Sequence, residues 1–168
     1  MDPLLGAVVS HYRVLGQIGA GGMGVVYLAE DERLHRKVAL KFITPSASQD
    51  ATARRRLLLE AQAASSLDHP NIATVYEVGD FQEQLFIAMA YYSGETLKSR
   101  IDRGPLTTAE SASIAGHIAE GLEAAHAAGV THRDLKPANI FLTSSGQVKI
   151  LDLAWPRSRP NRVTPPQD

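Results

Sequence analysis

The sequence predicts an α+β fold in which an antiparallel sheet with one helix is followed by a helical segment and a small hairpin. Two observations predict it. Short segments that alternate apolar and polar residues fill much of the first 90 positions, and such alternation is typical of strands. Beyond them, apolar residues recur at intervals of three and four, as on the buried side of a helix. The length of 168 residues fits one domain with room for two lobes.

The first half is predicted to hold five strands and one helix. Residues 51–67 predict the helix, because they are rich in Ala, Leu, Arg and Glu and contain neither Gly nor Pro. A glycine-rich turn separates the first two strands, and a turn at Gly79-Asp80 is predicted to join the last two. The predicted strands cover residues 12–18, 25–29, 37–43, 72–78 and 85–90.

The second half is predicted to begin with a long helix. Thr107 and Glu110 have the spacing of a capping box, in which each side chain binds the other residue's backbone N–H. Gly129 stands where a glycine commonly ends a helix. The apolar residues at helical spacing are Ile114, Ile118, Leu122 and Ala125. A hairpin with strands 140–142 and 148–151 around a turn at 144–146 is predicted to follow.

Composition excludes several classes of protein. Lys and Arg total 17 against 18 Asp and Glu, so no excess of positive charge is available to neutralise nucleic-acid phosphates. The chain has no Cys, which excludes disulfides, thiol catalysis and Cys-based zinc sites. No apolar run approaches 18 residues and the first residues lack a basic segment, so neither a membrane span nor a signal peptide is predicted. These features predict a cytoplasmic protein.

Two segments of the first half have functional residue types. Residues 19–24 fit the pattern G-x-G-x-x-G, but a strand follows them, whereas a dinucleotide-binding loop opens a helix. Glycines between two strands let backbone amides approach phosphates, although a plain glycine-rich hairpin fits the segment equally well. Lys41 ends an alternating strand and Glu60 lies within the predicted helix. Each alone fits a solvated surface residue, whereas together they fit a phosphate-binding lysine held by a carboxylate.

The densest polar segment is residues 132–139, His-Arg-Asp-Leu-Lys-Pro-Ala-Asn, in which the proline is expected to exclude a helix. A loop that concentrates His, Arg, Asp, Lys and Asn is typical of a functional site. Asp152 directly follows an apolar strand. Asn139 and Asp152 supply the oxygen ligands that Mg²⁺ prefers.

These motifs, in this order, resemble those of protein kinases. His69-Pro70-Asn71-Ile72 and Gly94-Glu95-Thr96-Leu97 resemble in particular the bacterial Ser/Thr kinases of eukaryotic type. The resemblance covers residues 11–152. It implies a protein-kinase-like fold with a complete N-lobe at about 11–90 and the first part of a helical C-lobe at about 91–152.

The resemblance also implies a role for each motif residue. Lys41, paired with Glu60, would contact the α- and β-phosphates of ATP. Asp134 would accept the proton of a Ser or Thr hydroxyl on a protein substrate, and Lys136 would stabilise the transferring phosphoryl group. The residues implied to cover the phosphates are Gly19, Gly21 and Gly24, and those implied to hold Mg²⁺ are Asn139 and Asp152. The residues implied to enclose adenine are Ile18, Val26, Ala39, Met89, Tyr91 and Phe141.

The resemblance breaks after Asp152, where the family has Phe-Gly and this chain has Leu153-Ala154. Residues 153–168 are rich in Pro and Arg and predict an irregular tail. We therefore expect weak or no activity, and an exposed apolar side of the long helix that favours chaperone binding or self-association. A nucleotide- or protein-binding pseudokinase is the alternative. Deletion of one base in a suitably encoded Asp-Phe-Gly segment would produce residues 152–159, so a frameshift is a hypothesis that reading the gene tests.

Overall fold

The computed structural model describes residues 2–21, 24–44 and 51–153, without the side chains at positions 51, 53, 56, 57 and 60. The predicted tail therefore lies outside the described residues, apart from Leu153. The strands in these ranges are β1 (Val8–Val9), β2 (Tyr12–Gly21), β3 (Gly24–Asp31), β4 (Arg36–Ile43), β5 (Val75–Phe81), β6 (Gln84–Ala90), β7 (Gly94–Thr96), β8 (Ile140–Thr143) and β9 (Val148–Ile150). The helices are α1 (Ala51–Ser65), α2 (Leu97–Asp102) and α3 (Thr108–Ala127), with a 3₁₀ turn at Pro137–Asn139.

The N-terminal sheet is antiparallel throughout, in the order β1-β2-β3-β4-β6-β5. β4 lies in its middle and is buried on both faces, because Val38, Leu40 and Phe42 pack into one apolar cluster and Ala39 and Ile43 into another. Lys41 extends from this central strand, opposite Val26 of β3 and Ile87 of β6. The simpler interpretation of Lys41 as an edge-strand lysine is therefore wrong.

The turn between β5 and β6 lies three residues later than predicted. Gln82 and Glu83, with φ of +50° and +64°, form it, and Gly79 lies within β5 opposite Phe86. A Cβ at Gly79 would lie 2.6 Å from the Phe86 ring. The glycine therefore makes room for a core aromatic ring instead of turning the chain, and the predicted turn at Gly79-Asp80 is wrong.

The capping box at the start of α3 is confirmed. Thr107 Oγ1 accepts a hydrogen bond from the Glu110 backbone N–H at 3.1 Å, and Glu110 Oε2 accepts one from the Thr107 N–H at 2.8 Å. These bonds, together with the Arg100 guanidinium, hold the pKa of Glu110 below its ordinary value. Gly129, at φ +76°, follows the C-cap Ala128 as expected.

The long helix packs on the C-terminal hairpin, β8 and β9. A Cβ at Gly121 would lie 2.8 Å from Ile150 Cδ1 and 3.2 Å from the Asn71 carbonyl oxygen, so the glycine allows α3 to lie close to β9. The large apolar residues of α3, namely Ile114, Ile118 and Leu122, are half-buried against the cluster that includes Ile150. This packing covers them only in part, and the expected apolar side of the helix that favours chaperone binding or self-association stays a prediction.

Asn71 joins the segment before β5 to the hairpin. Its Nδ2 donates to the Val148 carbonyl at 3.0 Å, and its own carbonyl accepts the Ile150 N–H at 2.8 Å. The Ile150 carbonyl in turn accepts the Ala73 N–H at 2.9 Å. These three bonds fix the strand that leads directly to Asp152.

Two glycines give opposite expected effects on stability. Gly79→Ala should lower the free energy of unfolding by about 1–3 kcal/mol, because the new methyl group overlaps the buried Phe86 ring. Gly116→Ala, in α3 with open space around its Cβ, should raise it by about 0.5–1 kcal/mol through helix propensity. Urea unfolding followed by circular dichroism measures both. Equal midpoints for Gly79→Ala and the wild type would show that Phe86 does not occupy this position.

Candidate active site

A cleft of about 540 Å³ separates the N-terminal sheet from the hairpin and the 3₁₀ turn. Residues of both sides line it, so any ligand it held would contact the sheet and the C-terminal part together. The predicted site residues that line this cleft are Ile18, Gly19, Gly21, Gly24, Val26, Ala39, Lys41, Met89, Tyr91, Lys136, Asn139, Phe141 and Asp152. The fold thus brings together residues that are up to 134 positions apart in the sequence.

One part of the cleft is apolar. Val26 of β3 and Ala39 of β4 line it from the sheet, and Phe141 of β8 lines it from the hairpin. Met89, near the end of β6, is 9% exposed and lines the same cavity. Apolar surfaces on two opposite sides suit a flat aromatic ligand better than a charged one.

Residues 91–93 connect β6 to β7 beside this apolar part. The Ala90 N–H donates to the Thr74 carbonyl at 2.9 Å, so that N–H is engaged within the protein. Gly94, at φ +143°, could not be replaced without strain, because a Cβ there would lie 2.1 Å from the Leu142 carbonyl oxygen. This close contact holds the connection against β8.

The glycine loop is the end of the β2–β3 hairpin. Gly19 pairs with Val26, and Gly21 pairs with Gly24 across the two strands. Gly24 has φ +141°, and a Cβ there would lie 1.8 Å from the Phe42 carbonyl oxygen. A strand therefore follows the loop, as the sequence predicts, and the dinucleotide-binding arrangement is excluded.

Lys41 forms an ion pair with Asp152 across the cleft. The Lys41 Nζ lies 2.7 Å from Asp152 Oδ2, with side chains 7% and 15% exposed. Asp152 has φ +54°, a conformation that is uncommon for residues other than Gly, Asn and Asp. The predicted partner Glu60 lies in α1, and its side chain is outside the described residues.

A second charged group lies in the segment 132–139. Lys136 Nζ donates to Asp134 Oδ2 at 2.8 Å. Asn139 Nδ2 donates to the Asp134 carbonyl at 2.9 Å and to Asp134 Oδ2 at 3.3 Å. Pro137 begins the 3₁₀ turn that positions Asn139, so the expectation that this proline excludes helical structure is wrong for one turn.

His132 holds this segment to the strand end and was given no role by the sequence. It is 3% exposed, and its Nε2 lies 2.8 Å from the Leu151 carbonyl oxygen, which can only accept. Nε2 is therefore the protonated nitrogen, and Nδ1 accepts the Asp134 N–H at 3.2 Å. The ring thus links the backbone of Asp134 to the residue before Asp152.

The structure adds cleft residues that the motifs did not assign as contacts, namely Ala20, Gly94, Thr96, Ala138 and Leu151. Leu153, which stands where the resemblance implies Phe, is 6% exposed in the cluster beneath α3.

Within residues 2–21, 24–44 and 51–153, no group of three or more His, Asp or Glu forms a metal site. Asn139 and Asp152 remain suitable oxygen donors, because Asn139 Nδ2 is directed to Asp134 and leaves Oδ1 to accept.

Comparison with known proteins establishes the family. The sequence profile of the protein kinase domain matches residues 12–163, so the chain belongs to the protein kinase domain family. The serine/threonine-protein kinase PknD of Mycobacterium tuberculosis is 42% identical over 157 residues, which cover 93% of this chain and 24% of PknD. PrkC of Bacillus subtilis, also a serine/threonine-protein kinase, is 42% identical over 151 residues, which cover 89% of this chain and 23% of PrkC.

Solved structures give the same result for the fold. The kinase domain of PknI from Mycobacterium tuberculosis superposes with a TM-score of 0.84 at 35% identity, covering 91% of this chain and 62% of that domain. The protein-kinase fold predicted from the sequence is thereby confirmed. The chain spans about a quarter of the length of PknD and PrkC. No helix in the described part of the chain is long and apolar enough to cross a membrane.

Proposed function

We propose that the chain binds ATP with Mg²⁺ in this cleft and transfers the γ-phosphoryl group to Ser or Thr hydroxyls of cytoplasmic proteins. One observation carries the proposal: the buried Lys41–Asp152 pair and the Asp134–Lys136 pair belong to segments that meet at the same cleft. Residues 11–152 form the kinase part, with its N-lobe at about 11–90 and the beginning of its C-lobe at about 91–152.

Binding would use both ends of the cleft. The apolar surfaces of Val26, Ala39 and Phe141 suit the faces of adenine, and the ammonium group of Lys41 suits the phosphates. Gly19, Gly21 and Gly24 line the same cleft and have no side chains that would keep phosphates from the backbone N–H groups. Asn139 and Asp152 would hold Mg²⁺, which neutralises phosphate charge when it is bound.

Transfer would use the second charged pair. The Asp134 carboxylate accepts the proton of the attacking hydroxyl, since its Oδ2 is held in place by Lys136 and Asn139. The Lys136 ammonium is half-exposed and lines the cleft, so it can also stabilise negative charge on the phosphoryl group. The backbone bonds through His132 keep Asp134 in position.

A pseudokinase that binds nucleotide without transfer is the second candidate. Leu153 and Ala154 favour it, because they replace the Phe-Gly that follows the metal-binding Asp in the family. A smaller side chain at 153 and a more restricted backbone at 154 would change how Asp152 is aimed. A displacement of about 1 Å can cost roughly a hundredfold in rate. We therefore propose that the 168-residue polypeptide assayed alone transfers phosphoryl slowly.

Nucleotide binding should depend on Lys41. ATP with Mg²⁺ at about 100 times its Kd should stabilise the wild type by about 2.7 kcal/mol, which raises Tm by roughly 5–10 °C. Lys41→Met should abolish this shift, while Lys37→Met, an exposed lysine on the same strand, should retain it. Omitting Mg²⁺ should reduce the shift in the wild type but not in Asp152→Asn. An undiminished shift in Lys41→Met would contradict the assignment.

Phosphoryl transfer by the 168-residue polypeptide distinguishes an active kinase from a pseudokinase. We expect a turnover well below the family's range of about 1–100 per second, with Asp134→Asn as the blank. Radiolabelled ATP with Mg²⁺ and a generic basic protein measures it. Binding without any transfer above the blank would support the pseudokinase. Turnover within the family's range would show that Leu153 and Ala154 do not impair the site.

A further inference from the structure

A buried lysine lies beneath the connection between the two lobes. Lys149, in β9, is 8% exposed, and its Nζ lies 5.1 Å from the centroid of the Tyr92 ring. It pairs with Phe141 across the β8–β9 ladder, and the side chains of such a pair lie on the same face. Tyr92 and Phe141 line the cleft, whereas Lys149 is not among the lining residues in the part of the chain that the structure describes.

The surroundings of Lys149 identify its electrostatic partner. Among the described residues, no carboxylate forms a salt bridge with it. A buried ammonium loses hydration and needs compensation, so it is rarely buried without a partner. The electron-rich face of the Tyr92 ring supplies this partner, and such a contact strengthens when water is excluded.

The Tyr92 ring is held by both lobes. On the hairpin side, its centroid lies 6.5 Å from that of Phe141, at an interplanar angle of 40°. On the sheet side, its hydroxyl accepts the Thr74 N–H at 3.4 Å, while the Thr74 carbonyl accepts the Ala90 N–H at 2.9 Å. The backbone of Thr74 therefore contacts both the end of β6 and the hydroxyl of Tyr92.

We propose that Lys149 is a positioning residue for the nucleotide base, acting through Tyr92. Its ammonium group fixes the ring from below, and the fixed ring holds backbone 91–93 at the apolar part of the cleft. This inference rests on the proposed nucleotide-binding function. It predicts that Lys149 affects recognition of the base and leaves recognition of the phosphates unchanged.

The experiment measures the binding of two ligands and, separately, hydrogen exchange in the ligand-free protein. Calorimetry gives the Kd of adenosine, which has the base alone, and of tripolyphosphate with Mg²⁺, which has the phosphates alone. Hydrogen exchange of backbone 91–93 in the ligand-free protein reports the connection directly. The variants are Lys149→Met, Lys149→Arg, Tyr92→Leu and the double variant Lys149→Met with Tyr92→Leu.

In Lys149→Met, the Kd of adenosine and the exchange rate of backbone 91–93 should each rise about three- to tenfold, the range expected for losing a desolvated cation–π contact. Tripolyphosphate Kd should stay unchanged, Lys149→Arg should restore both values, and the double variant should match Tyr92→Leu. Unchanged hydrogen exchange at backbone 91–93, or equal weakening of the binding of both ligands, would overturn the proposal.

Two further results distinguish a failure of the proposed nucleotide binding from a failure of the positioning role of Lys149. If the wild type binds neither ligand, the proposed function fails, and unchanged exchange at 91–93 in Lys149→Met then overturns the positioning role separately. If Lys149→Met fails to fold, Tyr92→Leu replaces it. In that variant, selective weakening of adenosine supports the proposal and equal weakening of both ligands contradicts it.

Discussion

The ion pair between Lys41 and Asp152 is the contact on which the geometry of the cleft depends. It joins the central strand of the N-terminal sheet to the end of the C-terminal hairpin, with the two charged atoms 2.7 Å apart. Both side chains are largely removed from water, and removing one partner of a buried ion pair costs about 3–5 kcal/mol. The pair therefore fixes the distance between the lobes where phosphates would bind.

Asp152 can meet Lys41 only because hydrogen bonds to the preceding backbone hold its strand. Asn71 holds the strand at Ile150 from the N-terminal side. His132 donates to the Leu151 carbonyl, and the Asn139 carbonyl accepts the Leu151 N–H at 2.8 Å. The segment 132–139 and the strand end at Asp152 are thus connected through the backbone of one residue, Leu151, so that a shift of either would move both.

The sequence predicted which residues lie at the cleft better than it predicted their burial and contacts. Lys41 alone fitted a solvated surface residue, and it was the order of the motifs along the chain, resembling that of protein kinases, that predicted a common site for Lys41, Asp134 and Asp152. The burial of Lys41 was not predictable, since alternation in one strand does not say which strands flank it. Gly79 shows the same limit, because a glycine that makes room for a distant Phe86 looks like a turn residue in the sequence. The contact that His132 makes to the Leu151 carbonyl oxygen does not depend on the side chain of Leu151, so the sequence could not predict it.

Paramagnetic broadening by Mn²⁺ in the presence of ADP tests the central claim most directly, because Mn²⁺ takes the oxygen ligands that suit Mg²⁺. With ADP present, Mn²⁺ should selectively broaden the side-chain amide of Asn139 and the backbone amide of Asp152 in nuclear magnetic resonance spectra. Without ADP the broadening should be much weaker, and Asp152→Asn should reduce it in both conditions. Broadening that is uniform along the chain, or unchanged when ADP is omitted, would contradict a nucleotide–metal site at the Lys41–Asp152 pair.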